Sequence, residues 1–385
     1  MQEFQAHAPT RKANGREPLI LVSANSCWNI VNFRAGLIRG LQDRGYRILV
    51  AAPDDEYRPK LTGLGVDFAP VPINSAGLSP VEDLRLVARY AQLFREFRPF
   101  AFLGFTAKPN VYGSLAARTV GAKVNNNVTG LGTAFIKRGP LTAIVTQLYR
   151  FAFRRSSTIF FHNLEDLELF VGKGIARRGQ ARLLPGSGVD IERFKPRAGA
   201  AADDGAFRFL MVGRLLWDKG VAEYVDAARL VRRSYPDARF QMLGRVGADN
   251  RTAVPSEVLE RWQAERIIDY LGESDDVRTA MEQADCIVLP SYREGLPRAL
   301  LEGSAMGKPL IATDVPGCRD VVEDGNTGYL CADRSANSLA AAMSKMIETP
   351  ASERLKMGEL GRRKIEQEFC ETRVIDLYID ALGSR

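Results

Sequence analysis

Histidine is almost missing from this chain: His7 and His162 are the only two in 385 residues. A histidine-rich metal centre is therefore excluded. The five cysteines, at 27, 286, 318, 331 and 370, form no C-x-x-C pair and no even framework. They read as reduced thiols of a cytoplasmic protein rather than as a disulfide scaffold. No apolar run approaches the ~18–20 residues that a membrane span requires. The opening stretch, residues 1–18, lacks the hydrophobic region of a signal peptide and reads as a disordered lead-in. No Asp-x-Asp stands at a strand end to hold a metal–nucleotide pair. The acids of "SDD" (274–276) instead precede an expected helix start, where they cap it and favour its dipole. Neither a metal nor a cofactor is expected.

Acidic residues are missing from one long stretch. None occurs between Glu96 and Glu165, whereas Arg98, Lys108, Arg118, Lys123, Lys137, Arg138, Arg150, Arg154 and Arg155 do. Residues 1–200 hold 28 Lys/Arg against 15 Asp/Glu, and residues 201–385 hold 25 against 31. The basic stretch is either ordinary surface or a face for something anionic. Nucleic acid would call for aromatics interleaved with the basic residues on a recognisable module, and none is present. Phosphate-bearing lipid is the favoured partner, and nucleic acid is not expected.

What the chain does have is a regular alternation. Short apolar runs, "LILVSA" (19–24), "RILVAAP" (47–53), "DFAPVP" (67–72), "FAFLGF" (100–105), "KVNNNV" (123–128) and "STIFF" (157–161), are separated by helical stretches, the first from about Phe33. After the small and acidic "AGAAADDG" (198–205) the alternation restarts with "FRFLMVG" (207–213), "RFQMLG" (239–244), "IIDYLG" (267–272), "CIVLP" (286–290) and "KPLIAT" (308–313). Apolar strands separated by helices argue parallel sheets covered on both faces. The expected fold is α/β, with two tandem Rossmann-like, doubly wound domains facing a cleft. The boundaries are 19–195, 196–368 and a closing helix over 369–385. Ligands of such sheets bind beyond the carboxyl ends of the strands, so the loops there carry the chemistry.

Two loops stand out. "GRLLWDKG" (213–220) follows a strand and places Arg214 and Lys219 beside the next helix start, with Gly213 permitting close backbone approach. Two cations there suit a diphosphate. "SYREGLPRALLE" (291–302) follows another strand and places Glu294 and Glu302 around a helix start. Pro297 fits the first helical position, and the amides near Gly295 and Leu296 suit a second phosphate contact. Glu302, in the second turn, leans toward the N-terminus and can reach the two hydroxyls of a ribose. Each glutamate could also serve as a cap or a surface charge.

"E-G-L-P-R-A-L-L-E" resembles the Glu-x7-Glu motif of family-4 retaining glycosyltransferases of GT-B fold. "VGRLLWDKG" and "GKPLIATDVPGCRDVVEDGNTGYL" (307–330) resemble their flanking segments. The resemblance implies that Arg214 and Lys219 hold the nucleotide diphosphate, that Glu302 holds the ribose and that Glu294 contacts the donor sugar. Gly213, Gly244, Gly295, Leu296 and Pro297 complete the donor side. The "LGESDDV" loop (271–277) would lie against the nucleobase, the final helix would cross back onto the first domain, and no metal would be used.

"SCWNIVNFRAGLIRGL" (26–41) and "NNNVTGLGTAF" (125–135) are similar to PglA-type enzymes that extend undecaprenyl-diphosphate-linked sugars. That likeness implies an acceptor side with Asn32 and Arg34. Many members carry a histidine in the loop after the strand matching "KVNNN". Here Asn126, Asn127 and Thr129 stand there instead, and His162 follows a different strand, where a capping or edge role is the alternative.

The expected reaction moves a hexose or N-acetylhexosamine from a UDP-sugar to a polyprenyl-diphosphate-linked saccharide, at the inner face of the cytoplasmic membrane. A UDP-N-acetylglucosamine 2-epimerase of the same fold and a non-catalytic nucleotide-sugar-binding module are the alternatives. Finally, "PLTAIVTQLYRFAFRRSS" (140–157) spaces Leu141, Ile144, Val145, Leu148 and Phe151/Ala152 helically, with Arg150, Arg154 and Arg155 near its end. It is either a core-facing helix or one that lies on an anionic membrane surface.

Overall fold

The structure is a computed structural model and describes residues 17–74, 77, 79–130, 140–197, 204–246 and 252–383. Two compact units make up the chain. One is built from the chain up to Ser187 together with Glu371 onward, and the other from Gly188–Cys370.

The first unit is a seven-stranded parallel sheet: β1 Leu19–Ser23, β2 Arg47–Ala52, β3 Asp67–Pro70, β4 Ala101–Gly104, β5 Lys123–Val128, β6 Thr158–Phe161 and β7 Ala181–Leu183. Its order is β3-β2-β1-β4-β5-β6-β7. The helices are α1 Cys27–Phe33, α2 Ala35–Gln42, α3 Arg58–Thr62, α4 Pro80–Phe97, α5 Ser114–Ala117, α6 Pro140–Phe153 and α7 Leu164–Gly172. The central strands are apolar on both sides, because Ile20 and Val22 face one buried cluster and Leu21 another. That is the pattern of a sheet covered by helices on both faces.

The first helix starts earlier than expected. Ser26 caps α1 by accepting from the Asn29 amide, and Arg34 breaks the helix before α2 continues it. A serine side chain satisfies an amide that has no partner in the first turn, which is why the start falls there and not at Phe33.

The second unit is a six-stranded parallel sheet: β8 Arg208–Val212, β9 Arg239–Leu243, β10 Asp269–Tyr270, β11 Cys286–Leu289, β12 Leu310–Thr313 and β13 Gly328–Cys331. The order is β10-β9-β8-β11-β12-β13. Its helices are α8 Val221–Arg232, α9 Ser256–Ala264, α10 Arg278–Gln283, α11 Arg298–Ala305, α12 Cys318–Val321, α13 Ala336–Glu348 and α14 Ala351–Lys364. Strand order reverses between β8 and β11, which pair with Leu210 opposite Ile287. This is the switch point at which sheets of this type leave a crevice.

The last helix, α15 Glu371–Leu382, belongs to the first unit. Val374, Ile375, Tyr378 and Leu382 join the cluster beneath α2, and the Lys123 ammonium donates to the Leu382 carbonyl at 2.6 Å. All five cysteines are free, and four of them are buried. No helix among the described residues is long and apolar enough to cross a membrane.

Candidate functional site

The loops after β8 and β11 carry the candidate residues, and the switch point brings them together. A helical turn, Trp217–Lys219, ends at Gly220, which starts α8 at φ 73°. A Cβ on Gly220 would sit 2.0 Å from the Pro290 carbonyl oxygen, so only glycine lets the two loops approach this closely. The Tyr292 amide then donates to the Asp218 carbonyl at 3.0 Å, and the Ser291 hydroxyl donates to the same oxygen at 3.3 Å. The Tyr292 hydroxyl also donates to Glu223 of α8 at 2.7 Å. Backbone contacts of this kind leave little freedom to the side chains they carry.

The result is an ion pair. Lys219 donates to Glu294 Oε1, with the two side chains 23% and 11% exposed. Sequence reasoning gave these residues separate partners; the structure brings them into contact, 75 residues apart. Arg214 lies exposed on the same loop and has no carboxylate partner among the described residues. At Gly213 a Cβ would meet nothing within 4 Å among the described residues. Gly244 closes the neighbouring strand end, where a Cβ would fall 1.9 Å from the Gly213 carbonyl oxygen.

One expected detail changes. Pro297 is the residue that caps α11, at φ −78° and ψ 115°, and Arg298 takes the first helical position. An extended ψ at Pro297 places it outside the helix proper, where its missing N–H still costs nothing. Gly295 is buried, and the Leu296 side chain packs against the core of this unit.

Glu302 lies in the second turn of α11 as expected, 7% exposed. Its partner is Arg298, which donates from Nε at 2.8 Å and from a terminal nitrogen at 2.5 Å, both to Oε1. Burial pushes the Glu302 carboxyl upward from its ordinary range, and Arg298 opposes that shift. Arg298 was overlooked in the sequence, although its i,i+4 spacing from Glu302 was a usable signal. Arg193 adds positive charge near Glu302 and Asp276. No local pattern marks Arg193, which reaches the site only through the fold.

The loop expected against the nucleobase borders this group. Asp276 is held down to about 2, first by hydrogen bonds from the Arg278 side chain, and its charge is felt at Glu302. It also accepts from the Arg278 amide at 3.2 Å, so the acid does serve a helix start, two residues ahead. Among the described residues no group of His, Cys, Asp and Glu is arranged to hold a metal ion.

The first unit treats its polar residues differently. Asn126 and Asn127 lie inside β5 and not in the loop beyond it, at 0% and 1% exposure. The Asn126 amide donates to Ser114 at 2.7 Å and to the Asn110 side chain at 3.1 Å, and its oxygen accepts from Ser156 at 2.6 Å. Asn127 donates to the Gly104 carbonyl at 2.9 Å and accepts from Tyr378 of α15. Their hydrogen bonds tie β5 to β4, α5, Ser156 and α15, which corrects their placement in the loop. Buried amides must find partners, and these find them within the unit. Thr129 lies half-buried just past β5, and residues 131–135 of that motif lie outside the described residues.

Arg34 is 4% exposed, and its guanidinium lies 4.2 Å from the centre of the Phe105 ring, beside the first sheet's own switch point between β1 and β4. Asn32 donates to the Trp28 carbonyl at 3.0 Å. His162 follows β6, is 9% exposed, and its Nε2 has no hydrogen-bond partner among the described residues. Burial, and then the nearby Arg34 charge, push its pKa down to about 3.

The unfolded imidazole titrates near ~6.5, so between that value and about 3 the unfolded chain binds a proton that the folded chain refuses. Stability therefore falls as pH drops through this window. Between pH 7 and pH 5 the loss from His162 is expected to be about 2 kcal/mol. Urea titrations of wild type and His162→Asn at the two pH values measure it: the variant should lack this part of the pH dependence. Equal dependence in both proteins would mean that the imidazole is protonated in the fold.

Comparison with known proteins agrees with this architecture. A family model described as "Glycosyl transferase 4-like" matches residues 19–163, and one described as "Glycosyl transferases group 1" matches residues 192–364. The chain is 26% identical to N,N'-diacetylbacillosaminyl-diphospho-undecaprenol alpha-1,3-N-acetylgalactosaminyltransferase of Campylobacter jejuni, over 83% of the chain and 87% of that protein. It is 24% identical to UDP-Gal:alpha-D-GlcNAc-diphosphoundecaprenol alpha-1,3-galactosyltransferase of Escherichia coli, over 82% of the chain and 84% of that protein. The crystal structure of Anabaena HepE in complex with UDP-glucose has the same fold, with a TM-score of 0.79 at 19% identity, over 95% of this chain and 99% of that one. With a family model matched on each of its two parallel sheets, the chain belongs to the family-4 glycosyltransferases of GT-B fold.

Proposed function

We propose that this glycosyltransferase retains anomeric configuration and moves a hexose or N-acetylhexosamine from a UDP-sugar to a polyprenyl-diphosphate-linked saccharide. The relatives from Campylobacter and Escherichia, whose names specify acceptors of that class, support this reading. The observation that carries it is the meeting of Lys219 and Glu294 at the β8/β11 switch point, with Arg214 exposed on the loop that carries Lys219. A diphosphate placed there takes Arg214 and Lys219 as its counter-charges. As Lys219 turns to the diphosphate, Glu294 turns to accept from a hydroxyl of the sugar that the diphosphate carries. Glu302 Oε1 is occupied by Arg298, which leaves Oε2 to accept from the ribose.

The reaction then needs no protein nucleophile. The bond between the anomeric carbon and the leaving diphosphate oxygen breaks as the acceptor oxygen bonds to the same face. The acceptor proton passes to the leaving diphosphate. Arg214 and Lys219 stabilise the negative charge that develops there, and preorganised cations of this kind lower the barrier without moving. A metal ion would duplicate their role, so the enzyme acts without one, at the membrane face where nucleotide sugars are made.

The test is transfer of radiolabel from UDP-sugars to butanol-extractable lipid in the presence of excess EDTA. Label in the lipid fraction is the expected result. Epimerised UDP-sugar without transfer would point to a 2-epimerase, and binding without turnover to a non-catalytic module. Loss of activity on chelation, restored by manganese or magnesium, would overturn the metal-free mechanism.

A further inference from the structure

The helix α6 has two faces of different character. Tyr149, Ala152 and Phe153 are buried, and they pack with Phe161 and Phe170 in the first unit. On the other face Ile144 is 59% exposed, Leu148 36% and Phe151 57%. With Ala143 and Gln147 they line a shallow groove. An apolar stripe at i, i+4 and i+7 that stays in solvent on a folded unit marks a contact surface. Leu141, the first apolar residue of the expected stripe, has a side chain outside the described residues.

Charge around this face indicates what covers it. Arg154 and Arg155 follow α6 in a turn, are exposed, and have no carboxylate partner among the described residues. Arg118 lies against the face itself, its guanidinium 4.9 Å from the Phe151 ring centre while it donates to the Ala152 carbonyl at 2.9 Å. Arg154 and Arg155 are near enough to lower the Arg118 pKa, after burial. Along the chain no acid occurs between Glu96 and α7, where Glu168 is paired with Arg178 at 2.5 Å, and Asp83 of α4 is taken up by Lys108 and Tyr112. Arg150 is used otherwise: it donates to the Lys173 carbonyl at 2.6 Å and the Gly174 carbonyl at 3.2 Å, so it fixes the helix and is left out of the test.

We infer that the exposed face of α6 docks on an anionic lipid bilayer, with Ile144, Leu148 and Phe151 entering the acyl boundary and Arg154 and Arg155 holding headgroups. An apolar stripe flanked by arginines and free of acids is the pattern of an interfacial helix. The inference rests on the reading above in one respect, that a polyprenyl-linked acceptor is met at a bilayer.

Flotation on vesicles of phosphatidylglycerol and phosphatidylcholine, against phosphatidylcholine alone, tests it with the full chain. Wild type should float with the anionic vesicles. Arg154→Ser/Arg155→Ser should lower that partitioning by roughly 30-fold at low salt. Leu148→Ser and Phe151→Ser should each lower it by ~10-fold or more. All four positions are exposed, so unchanged thermal melts are expected. Transfer to a short-chain, water-soluble acceptor is measured in parallel and should be unaltered.

If wild type transfers sugar but ignores the anionic vesicles, or the variants float as well as wild type, the docking surface is wrong and the reaction stands. If wild type floats but transfers nothing, the surface stands and the reaction is wrong. A dimer seen by light scattering and dissociated by Phe151→Ser would assign the face to a second copy of the chain and overturn the inference.

Discussion

Replacing Lys219 or Arg214 with alanine is expected to lower turnover at saturating donor by ~10²-fold or more, the scale of removing one preorganised donor to a developing negative charge. The structure separates the two variants by their effect on stability. Arg214 is exposed and without a carboxylate partner among the described residues, so its loss should leave stability within about 0.5 kcal/mol. Lys219 is paired with a Glu294 side chain that is 11% exposed. Removing the lysine leaves a largely buried carboxylate without its cation, which costs about 1–3 kcal/mol. Denaturation curves recorded alongside initial rates therefore identify each role. Near-wild-type turnover in either variant would remove that residue from the diphosphate site.

The two glutamates should divide binding from transfer. Glu302→Ala is expected to weaken bare UDP by roughly 10–100-fold, the range for hydrogen bonds to a charged group. Glu294→Ala should leave UDP affinity nearly unchanged and abolish most sugar transfer, because its partner is the sugar. Calorimetry with UDP, followed by rates with the UDP-sugar, distinguishes the two. Glu302→Gln refines the test, because it keeps an acceptor for the ribose but weakens the Arg298 contact. Equal losses of UDP affinity in the Glu294 and Glu302 alanine variants would contradict the division.

Much of this was legible in the chain because it is local. Parallel strands buried on both faces write themselves as continuous apolar runs, so the two α/β sheets followed from "LILVSA", "FRFLMVG" and their successors. The loops carrying Arg214, Lys219, Glu294 and Glu302 follow strands directly, which is where such sheets keep their chemistry. The asparagines of "KVNNNV" misled for the same reason. A polar run at a strand end looks like a loop, and only the positions of Ser114, Ser156 and Tyr378 turn Asn126 and Asn127 into internal fasteners. The helix at 140–153 showed a stripe of the right period, but period does not say which side faces the core.

The sequence by itself therefore determined the two sheets, their carboxyl-end loops and the type of residue in each, because strand burial and helix starts are set by neighbours a few positions away. Tertiary structure alone decided which of those loops meet. Lys219 reaches Glu294 because β8 and β11 are adjacent in the sheet though 75 residues separate the pair, and Arg193 joins Glu302 from still farther along the chain. It also decided that α15, whose return the resemblance implied, seals β5 through Tyr378, and that Ile144, Leu148 and Phe151 stay in solvent. Strand order and the packing of helices on a sheet depend on the burial of the whole unit, and that sum has no counterpart in any short stretch of residues.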